Sequence, residues 1–117
     1  MGRRRRKANL VAVRPAFKLW LETSTGYAIG EGGFELLQEV ERRGSLAEAA
    51  KSLGMSYRYA WGLVRKIEKN IGTPMLDTFK GGRHGGGGAR VTQAGLAILR
   101  KYKALQENIS QLLKSGW

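Results

Sequence analysis

The sequence contains no cysteine, one histidine and two prolines, and only 9 of its 117 residues are acidic. Without cysteine there is no disulfide, no thiolate metal site and no cysteine nucleophile. The one histidine, His84, has no second histidine or cysteine near it, so no metal centre is expected. No acid/base or nucleophile pairing stands out among the carboxylates, so no catalytic residues and no cofactor are expected either. Long apolar runs are also missing. The uninterrupted stretches are only a few residues, too short to cross a bilayer, and Asn9 to Lys18 is too short and too interrupted for a signal-peptide core. The expected location is therefore the cytoplasm, at the nucleoid if the partner is DNA, with no membrane partner.

What is present in excess is positive charge. Lysine and arginine number 21, giving a formal net charge of +12 and a pI near 10.6. The run Arg3-Arg4-Arg5-Arg6-Lys7 accounts for less than half of the surplus, so the remainder of the chain is basic in its own right. Such a surplus points to a polyanion, nucleic acid first and an anionic membrane second. Hydrophobic residues at 42% and charged residues at 26% suit an ordinary globular chain, and the length suits one domain.

Residues 1–13 read as a basic, flexible arm with little folding information. Arg14-Pro15 marks a boundary, because the residue before proline avoids the helical region. From Phe17 to Glu22 apolar and polar residues alternate, which predicts a strand. Ser24-Thr25-Gly26 signals a turn and Tyr27-Ala28-Ile29 a returning strand. Gly30 to Gly33 interrupts the chain. Phe34, Leu37 and Val40 then recur at helical spacing up to Arg42-Arg43 and Gly44, a basic C-terminus with a glycine stop.

Ser45-Leu46-Ala47-Glu48 has the form of a capping box. The helix it opens, about Leu46 to Leu53, would bury Leu46, Ala49, Ala50 and Leu53. Gly54 stops it, Met55 plugs the turn, and Ser56 caps a third helix through about Asn70. Its inward row is Ala60, Val64, Ile67 and Ile71, and Gly72 and Pro74 end it. Met75 to Lys80 is strand-like. Gly81-Gly82-Arg83-His84-Gly85-Gly86-Gly87-Gly88 is not expected to form regular structure, since glycine has the largest entropy to lose. Ala89-Arg90-Val91 resumes an extended pattern. Thr92 caps a long final helix, about Gln93 to Ser115. There Ile98, Tyr102, Leu105, Ile109 and Leu112 are spaced 4, 3, 4 and 3, a heptad seam suited to a second copy of the chain.

This order of elements predicts an α+β, mainly α fold: a winged helix-turn-helix over residues 14–92 with a C-terminal dimerisation helix over 93–117. In a helix-turn-helix the second helix of the pair lies in the major groove with one face and packs on the core with the other. With Ala60, Val64 and Ile67 inward, the outward set is Ser56, Tyr57, Arg58, Trp61, Gly62 and Arg65. Arg58 and Arg65 can donate in pairs to guanine O6 and N7, and Gly62 leaves room for a backbone to approach. The glycine-rich hairpin lacks the Gly-Lys-Ser/Thr end of a nucleotide-binding loop. It reads as a wing in which Lys80, Arg83, His84 and Arg90 meet phosphates or the minor groove.

Gly44-Ser45-Leu46, Ala49-Ala50, Leu53-Gly54-Met55-Ser56-Tyr57-Arg58-Tyr59-Ala60-Trp61, the stretch Gly81 to Thr92 and Gly95 together resemble the N-terminal domain of the ModE family, prokaryotic molybdate-responsive transcription regulators. The broader LysR-type regulators share a looser version, including Glu68 to Gly72 and Thr92 to Gly95. The resemblance covers about residues 17–113. It implies a winged helix domain that dimerises through its terminal helix and sets two recognition helices in successive major grooves. ModE and LysR-type proteins bind their effectors in C-terminal domains. The sequence shows no small-molecule effector site up to Trp117, so molybdate sensing is not expected here.

Two DNA-binding readings remain open at this level. One is a sequence-specific homodimeric transcription regulator without an effector domain. The other is a sequence-tolerant chromatin or architectural protein, for which the arginine arm and high charge also suit. An RNA-associated interaction module would need aromatic platforms on a sheet, and only Trp20 and Tyr27 lie near the strands.

Overall fold

A computed structural model describes residues 12–80 and 87–117. The basic run Arg3 to Lys7 and the wing residues Arg83 and His84 lie outside the described residues. In chain order the elements are β1 (Leu21–Thr23), β2 (Gly26–Ile29), α1 (Glu31–Arg43), α2 (Leu46–Ser52), α3 (Tyr57–Ile71), β3 (Leu76–Phe79), β4 (Gly88–Val91) and α4 (Gln93–Gly116). The strands form two separate antiparallel hairpins, β1-β2 and β3-β4. This is the winged helix-turn-helix fold with its long C-terminal helix.

The first hairpin is shorter than the alternation predicts. The ladder holds only Leu21 to Thr23 against Gly26 to Ile29, with a register shift between Leu21 and Glu22. Phe17 to Trp20 find no strand partner, because β2 ends at Ile29 and Gly30 already caps α1. Leu19 and Leu21 nevertheless pack against the core.

The helix α1 starts earlier than expected, with Gly32 and Gly33 inside its first turn. Close packing explains Gly33: a Cβ there would stand 2.6 Å from Ile67 Cδ1 and 3.0 Å from Ile29 Cγ1. At the other end Gly44 adopts φ +72°, where L side chains are strained. Its N–H donates to Val40 O at 2.7 Å, and its carbonyl accepts from the Ala89 N–H at 3.0 Å. Glu39, in the last turns of α1, accepts from Arg43 and Arg42 at 2.6 Å each and from Ser52 Oγ at 3.1 Å. The Arg43 hydrogen bond is the main reason its carboxyl lies below the ordinary carboxylate range.

Each of the next three helices begins on a hydroxyl. Ser45 Oγ accepts from the Glu48 N–H at 3.1 Å, one of the two bonds of the expected capping box. Ser56 Oγ accepts from Tyr59 N–H at 3.0 Å, and Thr92 Oγ1 from Gly95 N–H at 3.1 Å. Between α2 and α3, Met55 N–H returns to Ala50 O at 2.9 Å while Gly54 sits at φ +71°. The core gathers Ile29, Leu36, Leu37, Val40, Ala49, Ala60, Val64, Ile67 and Met75, all fully or nearly fully buried. The expected inward row of α3 is therefore the buried one, except that Ile71 is half-buried.

The long helix α4 corrects one expectation. Tyr102, placed by its spacing in a seam for a second copy, is fully buried within this chain. Its ring stacks on Phe34 with centroids 4.4 Å apart, and its hydroxyl donates to Leu19 O at 2.7 Å. Ile98, from the same seam, is half-buried against the core. Leu105 and Leu112 are exposed, and Ile109 is half-buried. The heptad spacing thus serves two partners in turn, the chain's own core first and an open apolar face after it. Among the described residues no helix is long and apolar enough to cross a membrane.

Candidate nucleic-acid interface

The outward face of α3 is fixed by the inward one. With Ala60, Val64 and Ile67 in the core, a residue four positions on from Tyr57, and again four on, stays on the far side. Tyr57, Arg58 and Arg65 are exposed and Trp61 is half-buried. The row does more than share a face. The Tyr57 ring meets the Trp61 ring edge-on, with centroids 6.3 Å apart and planes at 88°. The Arg65 guanidinium lies over the same Trp61 ring, 5.2 Å from its centroid. Gly62 opens onto free space, with nothing within 4 Å of a Cβ built there. Ser56 is at the head of this face, with its hydroxyl engaged as the helix cap.

The wing is anchored where the chain leaves α3. Glu68 Oε2 accepts from Met75 N–H at 2.8 Å and from Leu76 N–H at 3.3 Å, tying α3 to the root of β3. Thr92 closes the other side: its N–H donates to Met75 O at 2.9 Å and its hydroxyl to Pro74 O at 2.8 Å. Gly95 is needed for that closure, since a Cβ would stand 2.5 Å from Val91 Cγ1 and 3.0 Å from Met75 O. These contacts give the glycine and threonine of Thr92 to Gly95, and Glu68 before Gly72, a common purpose. They set the wing against α3.

In the β3-β4 ladder Arg90 pairs with Asp77 in register. Its guanidinium, however, lies over the Phe79 ring, 5.3 Å from the centroid. Lys80 is exposed beside it. A groove runs between α3 and the second hairpin, lined by Tyr57 and Trp61 from α3, by Ser45, Leu46 and Ala47 from the start of α2, and by Thr78, Phe79, Lys80 and Gly87 to Ala89 from the hairpin. The expected residues Tyr57, Trp61 and Lys80 therefore meet at one groove. Arg58, Arg65 and Arg90 are not among its lining residues; Arg65 and Arg90 reach it only through the rings they cover, Trp61 and Phe79.

Sequence reasoning missed two residues here. Phe79 was read only as part of a strand; it pairs with Gly88 and stands diagonal to Arg90, a relation that shows only once the hairpin register is known. Tyr59, 60% exposed, was left out of the outward set because it stands on the flank of the helix rather than in the Tyr57 row.

Comparison with known proteins adds the following. Residues 33–96 match the model of the bacterial regulatory helix-turn-helix protein, lysR family. The chain is 33% identical over 97 residues to the molybdenum transport protein ModE of Azotobacter vinelandii, covering 83% of this chain and 36% of that protein. It is 34% identical over 91 residues to the molybdenum-pterin-binding protein MopB of Rhodobacter capsulatus, with coverages of 78% and 33%. To the DNA-binding transcriptional dual regulator ModE of Escherichia coli K12 it is 31% identical over 72 residues, with coverages of 62% and 27%. The chain spans about a third of the length of the curated relatives it matches. In fold it is similar to the crystal structure of ArgP from Mycobacterium tuberculosis, with a TM-score of 0.55 and 21% identity over 73% of this chain and 30% of that one.

Proposed function

Because the chain belongs to the bacterial regulatory helix-turn-helix proteins of the lysR family, and so is not an enzyme, we propose that it binds double-stranded DNA as a homodimer and regulates transcription. On this reading α3 enters the major groove, with Arg58 and Arg65 toward base edges. The wing, with Lys80, Arg83, His84 and Arg90, lies on the backbone or in the minor groove, and the arm from Arg3 to Lys7 adds phosphate contacts. In a prokaryotic cell its place of work is the nucleoid in the cytoplasm.

One observation carries this reading. Apart from Glu68, whose carboxylate accepts from the Met75 and Leu76 amides, the side of α3 that bears Tyr57, Trp61 and Arg65 is aromatic and basic, and the same groove is bordered by the basic wing. A surface of that charge and shape matches a duplex better than it matches a small ligand. The dimer rests on Leu105, Ile109 and Leu112, with Ile98 at their base. Two copies joined there would present two recognition helices to half-sites about one helical turn apart, roughly 34 Å.

The test is selection of bound duplexes from a random pool. A recovered motif with two half-sites in one-turn spacing supports the reading, and recovery of no enriched motif overturns it. The net charge of +12 favours a second reading, a sequence-tolerant architectural protein. In that case affinity falls with log salt at about −0.9 per neutralised phosphate and hardly varies between sequences.

A further inference from the structure

Arginine on a DNA-facing helix has two uses that chemistry separates. A freely rotating guanidinium finds whichever phosphate is nearest and carries no sequence information. One held in a fixed plane presents its paired donors to the O6 and N7 of a guanine and discriminates between base pairs. Which use applies depends on what holds the guanidinium before DNA arrives.

Arg65 is held. Its guanidinium lies over Trp61, 5.2 Å from the ring centroid. Trp61 is itself fixed, half-buried against the core on one side and met edge-on by Tyr57 on another. No carboxylate competes: among the described residues the ion pairs are those of Glu39 with Arg42 and Arg43. Arg58, on the same helix, has no ring beneath it among the described residues. Gly62, in the turn between Trp61 and Arg65, leaves the space beside the stack open.

The geometry points to Trp61 as a specificity-determining positioning residue: its ring holds Arg65 so that this arginine, and not Arg58, reads a fixed base pair in each half-site. This rests on the reading that α3 enters the major groove. Trp61 need not touch DNA for the effect. The ring's electron-rich face attracts the cation and restricts its rotation, leaving the N–H edges of the fork directed outward.

The experiment measures binding of the 117-residue chain to its selected duplex and to every single-base-pair variant of one half-site. The proteins compared are the wild type, Arg65→Ala, Trp61→Leu, Trp61→Phe and the double variant Trp61→Leu/Arg65→Ala. Arg65→Ala is expected to lose discrimination at one base pair by about fivefold or more. Trp61→Leu should lose a comparable factor at that same base pair, with the double variant no worse than Arg65→Ala alone. Trp61→Phe, which keeps a ring, should retain most of it. Affinity for bulk competitor DNA should move little in any of them.

Two results overturn the proposal. One is a Trp61→Leu protein that discriminates at that base pair as the wild type does. The other is a loss spread equally over all duplexes, or multiplying with that of Arg65→Ala, as a merely structural role for Trp61 would give. Should Trp61→Leu fail to fold by thermal melting, multiply fluorinated tryptophan incorporated at all three tryptophans replaces it. Fluorination keeps the shape of the ring while draining its face of charge. Reduced discrimination at the Arg65 base pair supports the proposal, and unchanged discrimination overturns it. A wild type that prefers no base pair at all would instead remove the sequence-specific reading beneath it.

Discussion

The two halves of α4 carry the same heptad pattern and meet opposite fates. From Gln93 to Tyr102 the helix belongs to the core: Gly95 lies against Val91 and Met75, Leu99 is buried, and Tyr102 stacks on Phe34. From Leu105 to Gly116 the apolar residues have no comparable cover, with Leu105 42% and Leu112 65% exposed. Spacing alone therefore says that a stripe exists and not what covers it. The first half holds the domain together, and the second is free to hold two domains to each other.

That division can be tested by graded substitution. The largest effect on stability is expected from Tyr102→Ala, which removes a buried ring and its hydrogen bond to Leu19. It should cost about 3–5 kcal/mol in denaturant unfolding. Gly95→Val should follow at about 1–3 kcal/mol, because its side chain must displace Val91 or the Met75 carbonyl. Tyr102→Phe keeps the ring and leaves the Leu19 carbonyl unpaired, a loss of about 1 kcal/mol.

The same hydroxyl gives a pH signature. Burial raises the Tyr102 pKa above its ordinary value of 10.0. In the unfolded chain the phenol ionises first, so stability is fully present below about pH 10 and falls as pH rises through the folded value. Tyr102→Phe should flatten that alkaline decline, as thermal melts across pH 9 to 11 would show (a range set by the phenol pKa).

Leu112→Asp should do least to the fold, within about 0.5 kcal/mol. Its whole consequence belongs to association. On the proposed dimer, sedimentation should show the wild type as a dimer and the variant as a monomer, with weaker DNA binding to match, and Leu105→Asp should behave alike. If Leu112→Asp unfolds the domain instead, the two halves of α4 are not independent and the comparison fails.

The parts of the fold that were legible in the sequence are the ones decided by neighbours in the chain. Ser45, Ser56 and Thr92 mark helix starts because a cap acts over three residues, and Gly44, Gly54 and Gly72 mark ends or turns because each takes a positive φ. The buried row of α3 followed from its period. What was not legible depends on residues distant in sequence. Nothing near Tyr102 announces Phe34 or Leu19, and nothing near Arg90 announces that Phe79 across the hairpin, rather than Asp77 opposite it, would take the guanidinium. The early start of α1 was hidden for the same reason. Gly33 reads as part of a break until Ile67, in α3, is seen to require the space. At the candidate interface, the residue types and the face of α3 could be read from spacing. The stack of Arg65 on Trp61 depends on side-chain conformations that spacing does not set.

Gly44 has a further consequence, one of time. Its carbonyl accepts from Ala89, so the joint between α1 and α2 is completed only when β4 returns from the far side of the wing. The helix pair that follows is assembled from contacts local in sequence, which form early, whereas this bond must wait for a long loop to close. Substitutions that weaken the Ala89 junction should therefore hasten unfolding and leave the folding rate nearly unchanged, while those inside α2 and α3 slow folding. The junction of β4 with Gly44 would be the last part of the domain to form and the first to break.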